Sequence, residues 1–287
     1  MDRGRNERAG SGVAVGSGRT SPDGEATLAP QSAPPALHGF LGDVRRLIDA
    51  ELDRRLAPPA TDPGKRLRPA VVIAAAEACG ATRELALPAA VALEMLHAYT
   101  LVHDDLPAMD DDDVRRGRPT VHVAFGEAIA ILAGDGLLTA AFGALAEIGP
   151  GASAAMTLLA RRAGARELLA GQALDLTLAP DDLADIAAVE RLHAAKTGAL
   201  FAAAAELGAI AAGAAPHICA DLGRYGMAIG VAFQHADDRD DHDLIDLAAA
   251  AADRMRVLCG EARAIAQAMG PRGAMLDAIA AWITARA

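Results

Sequence analysis

The sequence predicts an all-α fold, a large bundle of orthogonal and antiparallel helices, on three observations. The chain has 287 residues and is 52% hydrophobic, enough apolar material for a sizeable core. From Leu37 onward alanine and leucine dominate, and period-two alternation of β-branched residues is nearly absent. Glycine and proline breakers separate the apolar stretches.

The elements follow in order from those breakers. Residues 1–36 are rich in Gly, Ser, Arg and Pro and read as a disordered tail, so residues 37–287 form the helical domain. Helices are expected over about 37–56, 69–80, 84–105, 124–147, 151–175, 184–213, 216–241, 243–269 and 273–286. Pro58-Pro59 closes the first, Gly80 the second and Pro107 follows the third. Gly149-Pro150-Gly151, Pro180 and Pro216 separate those that come after. No period of repeat-protein length is present. Ala199–Ala215 is almost wholly apolar, but it contains Glu206 and is short of the ~20 residues a span needs. It reads as a core helix, and no transmembrane segment is expected. The tail has no apolar run of signal-peptide length, and Cys79, Cys219 and Cys259 are widely spaced. Both point to the cytoplasm.

The net charge of −11 is local. Six aspartates lie within 104–113, and six more within 237–246, where Arg239 is the lone base. Acids and bases balance over the rest of the chain, so a nucleic-acid footprint is absent and no nucleic-acid partner is expected. Two deposits of carboxylate suggest a cationic partner, and a divalent metal is the natural candidate. On the third helix His97, Thr100 and Asp104 fall at i, i+3 and i+7, and so share a face. Gln234, Asp237, Asp238 and Asp241 make a similar stripe on an otherwise apolar helix. Two carboxylates ~4 Å apart repel by ~4 kcal/mol at an effective dielectric near 20. Helix C-terminal ends disfavour anions as well. Hard cations such as Mg²⁺ take oxygen ligands and bridge carboxylates to phosphates, which makes a polyphosphate held between the two clusters the sharper reading. A solvated acidic loop or a Ca²⁺ site is the plainer one, although the EF-hand spacing is not met.

The bases are also uneven. Of 27 Lys and Arg, two are lysine: Lys65 in Gly64-Lys65-Arg66-Leu67-Arg68-Pro69, and Lys196 in Lys196-Thr197-Gly198. A compact ammonium on a flexible stem suits phosphate. Arg115 and Arg116 follow the first acidic run directly, where they can screen it, bind a second anion, or both.

Taken together, Gly64–Pro69, the stretch DDLPAMDDDDVRR from Asp104 to Arg116, Lys196-Thr197-Gly198 and the stretch DDRDD from Asp237 to Asp241 resemble the trans-isoprenyl diphosphate synthases, the polyprenyl synthetase family. The likeness is greatest to bacterial farnesyl diphosphate synthases and runs from about Leu37 to the C-terminus. It implies an all-α bundle of the isoprenoid synthase type around a central cavity, in a homodimer. It also implies Mg²⁺-assisted ionisation of an allylic diphosphate (dimethylallyl or geranyl), followed by condensation with isopentenyl diphosphate. By motif match, Asp104, Asp105, Asp110, Asp237 and Asp241 would hold metal, with Asp238 supporting. Lys65, Arg68, His97 and Arg116 would bind isopentenyl diphosphate. Arg115, Lys196, Thr197 and Gln234 would contact the allylic substrate, with Lys196 and Thr197 also stabilising the cation. Gln172 and Asp175 match a further family segment. Tyr99, five residues before Asp104, and its neighbour Thr100 would set chain length. An aromatic at that position, with two residues inserted in the motif, favours the C15 product over C10 or C20.

The sequence departs from the family in one place. A loop of about twenty residues after the second acidic motif, with its lysines, is missing, and Arg239 stands where an apolar residue is usual. Arg239 or Arg254 is expected to replace part of the lost positive charge. The departure leaves open a rival reading, a weakened family member acting as a partner subunit. A class I terpene cyclase is disfavoured by the GKRLRP segment and the second acidic cluster.

Overall fold

The computed structural model describes residues 34–56, 66–240 and 245–286, so the expected tail lies almost wholly outside the described residues. Twelve α-helices are seen there: α1 Pro35–Arg55, α2 Leu67–Ala78, α3 Arg83–Asp104, α4 Val121–Phe125, α5 Glu127–Leu145, α6 Ala152–Ala163, α7 Leu168–Asp175, α8 Ile186–His193, α9 Ala199–Ala211, α10 Pro216–Asp240, α11 Ala248–Ala268 and α12 Ala274–Thr284. The only strands among the described residues are β1 Val114–Arg115 and β2 Arg118–Pro119, an antiparallel pair. The all-α expectation therefore holds.

The core is built around α9. Every residue from Ala199 to Ala209 is buried, and α2, α3, α6 and α10 pack about it. A run of alanines lets those neighbours approach closely, and its one acid, Glu206, is met by Arg162 at 2.8 Å. The core reading of this segment is thus correct. Among the described residues, three helical stretches could cross a membrane by length and composition: Arg83–Asp104, Glu127–Asp175 and Ile186–Ala211. The first and third are 56% and 72% buried over their most apolar window, against 28% for the second. On that second stretch and the short α4 before it, Val123, Phe125, Ile129 and Leu132 remain exposed.

Three expected boundaries differ. The helix expected over 151–175 breaks after Ala163, where Gly164 is extended and Glu167 leaves helical geometry. The helix expected over 124–147 begins earlier but breaks at Gly126, whose φ of 89° is open to glycine. The helix expected over 184–213 is continuous, yet Ala194–Gly198 forms a π turn within it. Such a turn inserts a residue into the ladder and is frequent at functional sites. It carries Lys196 and Thr197.

Candidate active site

Two adjoining cavities of about 360 and 340 Å³ open between α2, α3, α9 and α10. Arg68, His97, Leu101 and Thr197 form their common wall. The first cavity carries Asp104 and Lys196 and continues as an apolar pocket along Tyr99, Leu106, Ile131, Leu168 and Leu200. Thr100 also lines it. The second is lined by Arg115, Arg116, Phe201, Phe233, Gln234 and Asp237. The two acidic helix ends therefore border neighbouring compartments of one hollow.

At the end of α3 the chain turns back on itself. The Asp110 amide donates to the Asp104 carbonyl at 2.9 Å, which closes the four-residue LPAM spacer and returns Asp110 to the first two aspartates. Asp105 is buried and accepts from Arg115 Nε at 2.6 Å. Asp104 accepts from Gln172 Nε2 at 2.6 Å. Burial pushes the Asp104 carboxyl up to about 6; the Lys196 charge opposes this and Asp110 adds to it. Asp105 is likewise raised by burial, against its bond from Arg115. These carboxylates lack sufficient counter-charge. Oxygen-only donors crowded in this way suit a hard dication, and the residues present fit one.

The next segment positions the arginines. Arg116 and Gly117 both have positive φ, 52° and 74°, as a two-residue hairpin turn between β1 and β2 requires. That turn presents Arg115 and Arg116 to the second cavity. Arg68 is set from the other side. Its neighbour Arg66 adopts φ 51° at the start of α2 and is buried between Glu94 and Asp49, the latter at 2.8 Å. Breaking a buried pair of this kind costs about 3–5 kcal/mol, so Arg66 is an anchor that fixes the geometry of its neighbours. Arg68 lies over the Phe201 ring, 4.9 Å from its centroid, and its Nη1 is 3.2 Å from His97 Nε2. Burial, then the charges of Arg68, Arg116, Arg115 and Arg66, hold His97 well below its ordinary value. His97 is thus a neutral acceptor for Arg68.

The π turn is clamped from two sides. A Cβ on Gly171 would lie 2.6 Å from the Lys196 amide nitrogen, and one on Gly230 would lie 2.8 Å from Gly198 Cα. Glycine at both positions lets α7 and α10 close on the turn. Lys196 then pairs with Asp175, and Thr197 Oγ1 donates to Gln234 Oε1 at 2.9 Å.

At the end of α10 the aspartates are individually partnered. Arg286, from the C-terminal end, reaches Asp237 Oδ1 at 3.1 Å and Asp240 Oδ2 at 2.6 Å. Asp238 faces away and accepts from Gln234 Nε2 at 2.9 Å, with His193 Nε2 at 3.0 Å. Burial alone would raise Asp238 and Asp240. Bonds from His193 and Gln234 to the first, and from Arg286 and Arg239 to the second, outweigh it and hold both below the ordinary value.

The structure thus brings Asp104, Asp105, Asp110, Arg68, His97, Arg115, Arg116, Lys196, Thr197, Gln234, Asp237, Tyr99 and Thr100 around one hollow. Lys65 and Asp241 lie outside the described residues. Of the two expected stand-ins for the missing loop, Arg254 is turned to Glu190 at 2.7 Å, whereas Arg239 lies at the second acidic cluster, 3.2 Å from Asp240, and Arg286 adds a further guanidinium at Asp237 and Asp240. Sequence reasoning missed Arg286 because it is isolated near the chain end, 49 residues from Asp237, with no local pattern.

Comparison with known proteins agrees with this geometry. The family model for polyprenyl synthetases matches residues 50–250. A farnesyl diphosphate synthase of Geobacillus stearothermophilus is 41% identical over 218 residues, covering 69% of this chain and 73% of the relative. Geranylgeranyl pyrophosphate synthase 7 of Arabidopsis thaliana, a chloroplastic protein, is 45% identical over 181 residues, covering 61% of this chain and 52% of the relative. The match therefore spans about half the length of the plant relative. The crystal structure of an FPP/GFPP synthase from Zymomonas mobilis, in its apo form, superposes with a TM-score of 0.75 at 35% identity, covering 87% of this chain and 97% of that one. With a family model matched over most of the chain, and its motifs gathered at one hollow, the chain belongs to the polyprenyl synthetase family.

Proposed function

We propose that this chain is a short-chain trans-prenyltransferase that joins isopentenyl diphosphate to an allylic diphosphate, with farnesyl diphosphate as product. The observation that carries the reading is the pair of cavities with a common wall. One offers the Asp104 carboxylate, a lysine and an apolar pocket, and the other a guanidinium-lined compartment. That division suits two anionic substrates of different roles. The allylic diphosphate lies with its headgroup at Asp104 and Lys196 and its tail toward Tyr99. The headgroup of isopentenyl diphosphate lies among Arg68, Arg115 and Arg116, near the neutral His97.

Mg²⁺ held by Asp104, Asp105, Asp110 and Asp237 would neutralise the departing pyrophosphate. The allylic C–O bond breaks and the pyrophosphate takes its electron pair. The C3–C4 double bond of isopentenyl diphosphate supplies the electrons of the new C–C bond, and a proton is lost from C2, to the pyrophosphate. Lys196 balances charge on the leaving group, while Thr197 and Gln234 line the reacting centre with oxygen. The apolar wall keeps water from the cation.

Tyr99 supports the C15 assignment. It is buried, lines the first cavity and stands edge-on to His103, with ring centroids 5.3 Å apart. Four large apolar side chains left exposed within ten residues of α4 and α5, Val123, Phe125, Ile129 and Leu132, support a homodimer across these helices. The test is incubation of the purified chain with Mg²⁺, isopentenyl diphosphate and each allylic primer. Elongation stopping at fifteen carbons is the expected result. Products of other length would revise the assignment, and the absence of any product would favour the partner-subunit reading that the missing loop motivates.

A further inference from the structure

Behind the second acidic cluster, on the side away from the substrate cavities, α8 and α10 each turn an imidazole and a carboxylate toward the other. Glu190 and His193 are three residues apart on α8, and His235 and Asp238 are three apart on α10. Residues at i and i+3 share one helix face. Carboxylate and histidine at this spacing on facing helices is how helix bundles build metal sites in their interior. The pairing is crosswise: His193 Nε2 is 3.0 Å from Asp238 Oδ2, and His235 Nε2 is 3.4 Å from Glu190 Oε1. The two rings stand edge to face with centroids 4.8 Å apart.

We propose that Glu190, His193, His235 and Asp238 form a binding site for a borderline transition-metal dication such as zinc, distinct from the oxygen-only cluster at the end of α3. Four observations support it. Ligand atoms of His193, His235 and Asp238 all lie within 4.8 Å of one another. Tetrahedral zinc at its usual bond lengths holds ligand atoms roughly 3.4 Å apart, so small side-chain rotations close the set. Both histidines are almost fully buried, at 5% and 2% exposure, where imidazoles with ordinary roles have all their polar atoms bonded. His193 Nδ1 nevertheless has no partner among the described residues, leaving that ring one nitrogen on Asp238 and one uncommitted. A void of about 20 Å³ lies against His235 and Asp238, room for a single water or ion.

The donor chemistry sets the class of metal. Imidazole nitrogen with carboxylate oxygen suits zinc, cobalt, nickel or ferrous iron, and Mg²⁺ has little use for it. Glu190 is partly neutralised by Arg254, so Asp238 supplies the firm negative charge. An occupied site would also grip Asp238, which bonds Gln234 and through it Thr197. The site itself is independent of the proposed reaction, because it concerns binding alone.

The test is titration of the full-length, chelator-treated chain with Co²⁺, read by visible absorption, then displacement by Zn²⁺. One equivalent with the strong d–d bands of four- or five-coordinate cobalt is expected, lost when Zn²⁺ is added. His193→Asn and His235→Asn should each weaken binding at least ~10-fold, the smaller end of what even an outer-shell partner costs. An Asp104→Asn/Asp105→Asn double variant should bind as the parent does. Absence of cobalt bands in the parent chain would overturn the proposal. So would bands that survive both histidine substitutions, or that vanish in the aspartate variant. Circular dichroism of each variant checks its fold, and the parent titration decides the matter even if a variant fails to fold.

Discussion

The two acidic helix ends look alike as sequence and are opposite as physics. At the end of α3, burial raises Asp104 and Asp105, and the nearby cations do not offset it. At the end of α10, Asp238 and Asp240 sit below their ordinary values, because His193, Gln234 and Arg286 are bonded to them. The first cluster therefore holds stored electrostatic cost that a dication would relieve. The second already carries the guanidinium groups of Arg286 and Arg239, which must yield or share when a metal-bound diphosphate arrives. A count of aspartates does not distinguish them; the partners do.

Neutralising the first cluster should have the largest effect. Asp104→Asn or Asp105→Asn should lower turnover on the order of 10³-fold or more, since each removes charge stabilisation from the departing group. The same Asp104→Asn should raise the melting temperature of the metal-free chain near pH 7. The sign follows from the raised value. An ordinary Asp ionises near 3.8 and Asp104 near 6, so the folded state binds its proton more tightly. That contribution is whole below pH 4 and is lost as pH rises through 6. Metal-free thermal melts of parent and variant should diverge above pH 6 and converge near pH 4. A parent whose Asp104 contribution grows with pH would break the contrast.

Removing the cation from the second cluster should make it resemble the first. Arg286→Gln removes the Arg286 guanidinium from Asp237 and Asp240 and leaves Arg239 on Asp240, so the metal-free variant should lose about 1–3 kcal/mol in denaturant melts at pH 7. Millimolar Mg²⁺ with pyrophosphate should restore more stability to the variant than to the parent. Equal recovery in both would mean that Arg286 is not the internal counter-ion.

Much of this was legible in the sequence. The bundle followed from composition and breakers, and of the second acidic motif Asp237 lines the hollow while Asp238 turns away from it. The carboxylates could be counted but not weighed, because their environments depend on partners 45 to 68 residues away: Arg286 for Asp237, His193 for Asp238 and Gln172 for Asp104. The π turn at Ala194–Gly198 was hidden for a different reason. Its residues favour helix, and only the close approach of Gly171 and Gly230 reveals the distortion. Gly164 broke a helix that apolar periodicity carried straight through.

Two smaller effects refine the contrast. Tyr99→Ser should leave turnover within about tenfold and lengthen the product by at least one five-carbon unit, read by chromatography of the dephosphorylated alcohols, because the wall of the first cavity recedes while its charges stay. Gln172→Ala should be the mildest. Losing one amide hydrogen bond to the Asp104 carboxyl should raise the KM of the allylic substrate several-fold, about 1 kcal/mol.

The most direct test is crystallographic. Crystals grown with Mn²⁺ and a non-hydrolysable allylic diphosphate should show anomalous peaks between Asp104, Asp105, Asp110 and the diphosphate, with a further peak at Asp237 and Arg286 displaced from it. A diphosphate bound without metal at the end of α3, or metal gathered only at the end of α10, would contradict the account.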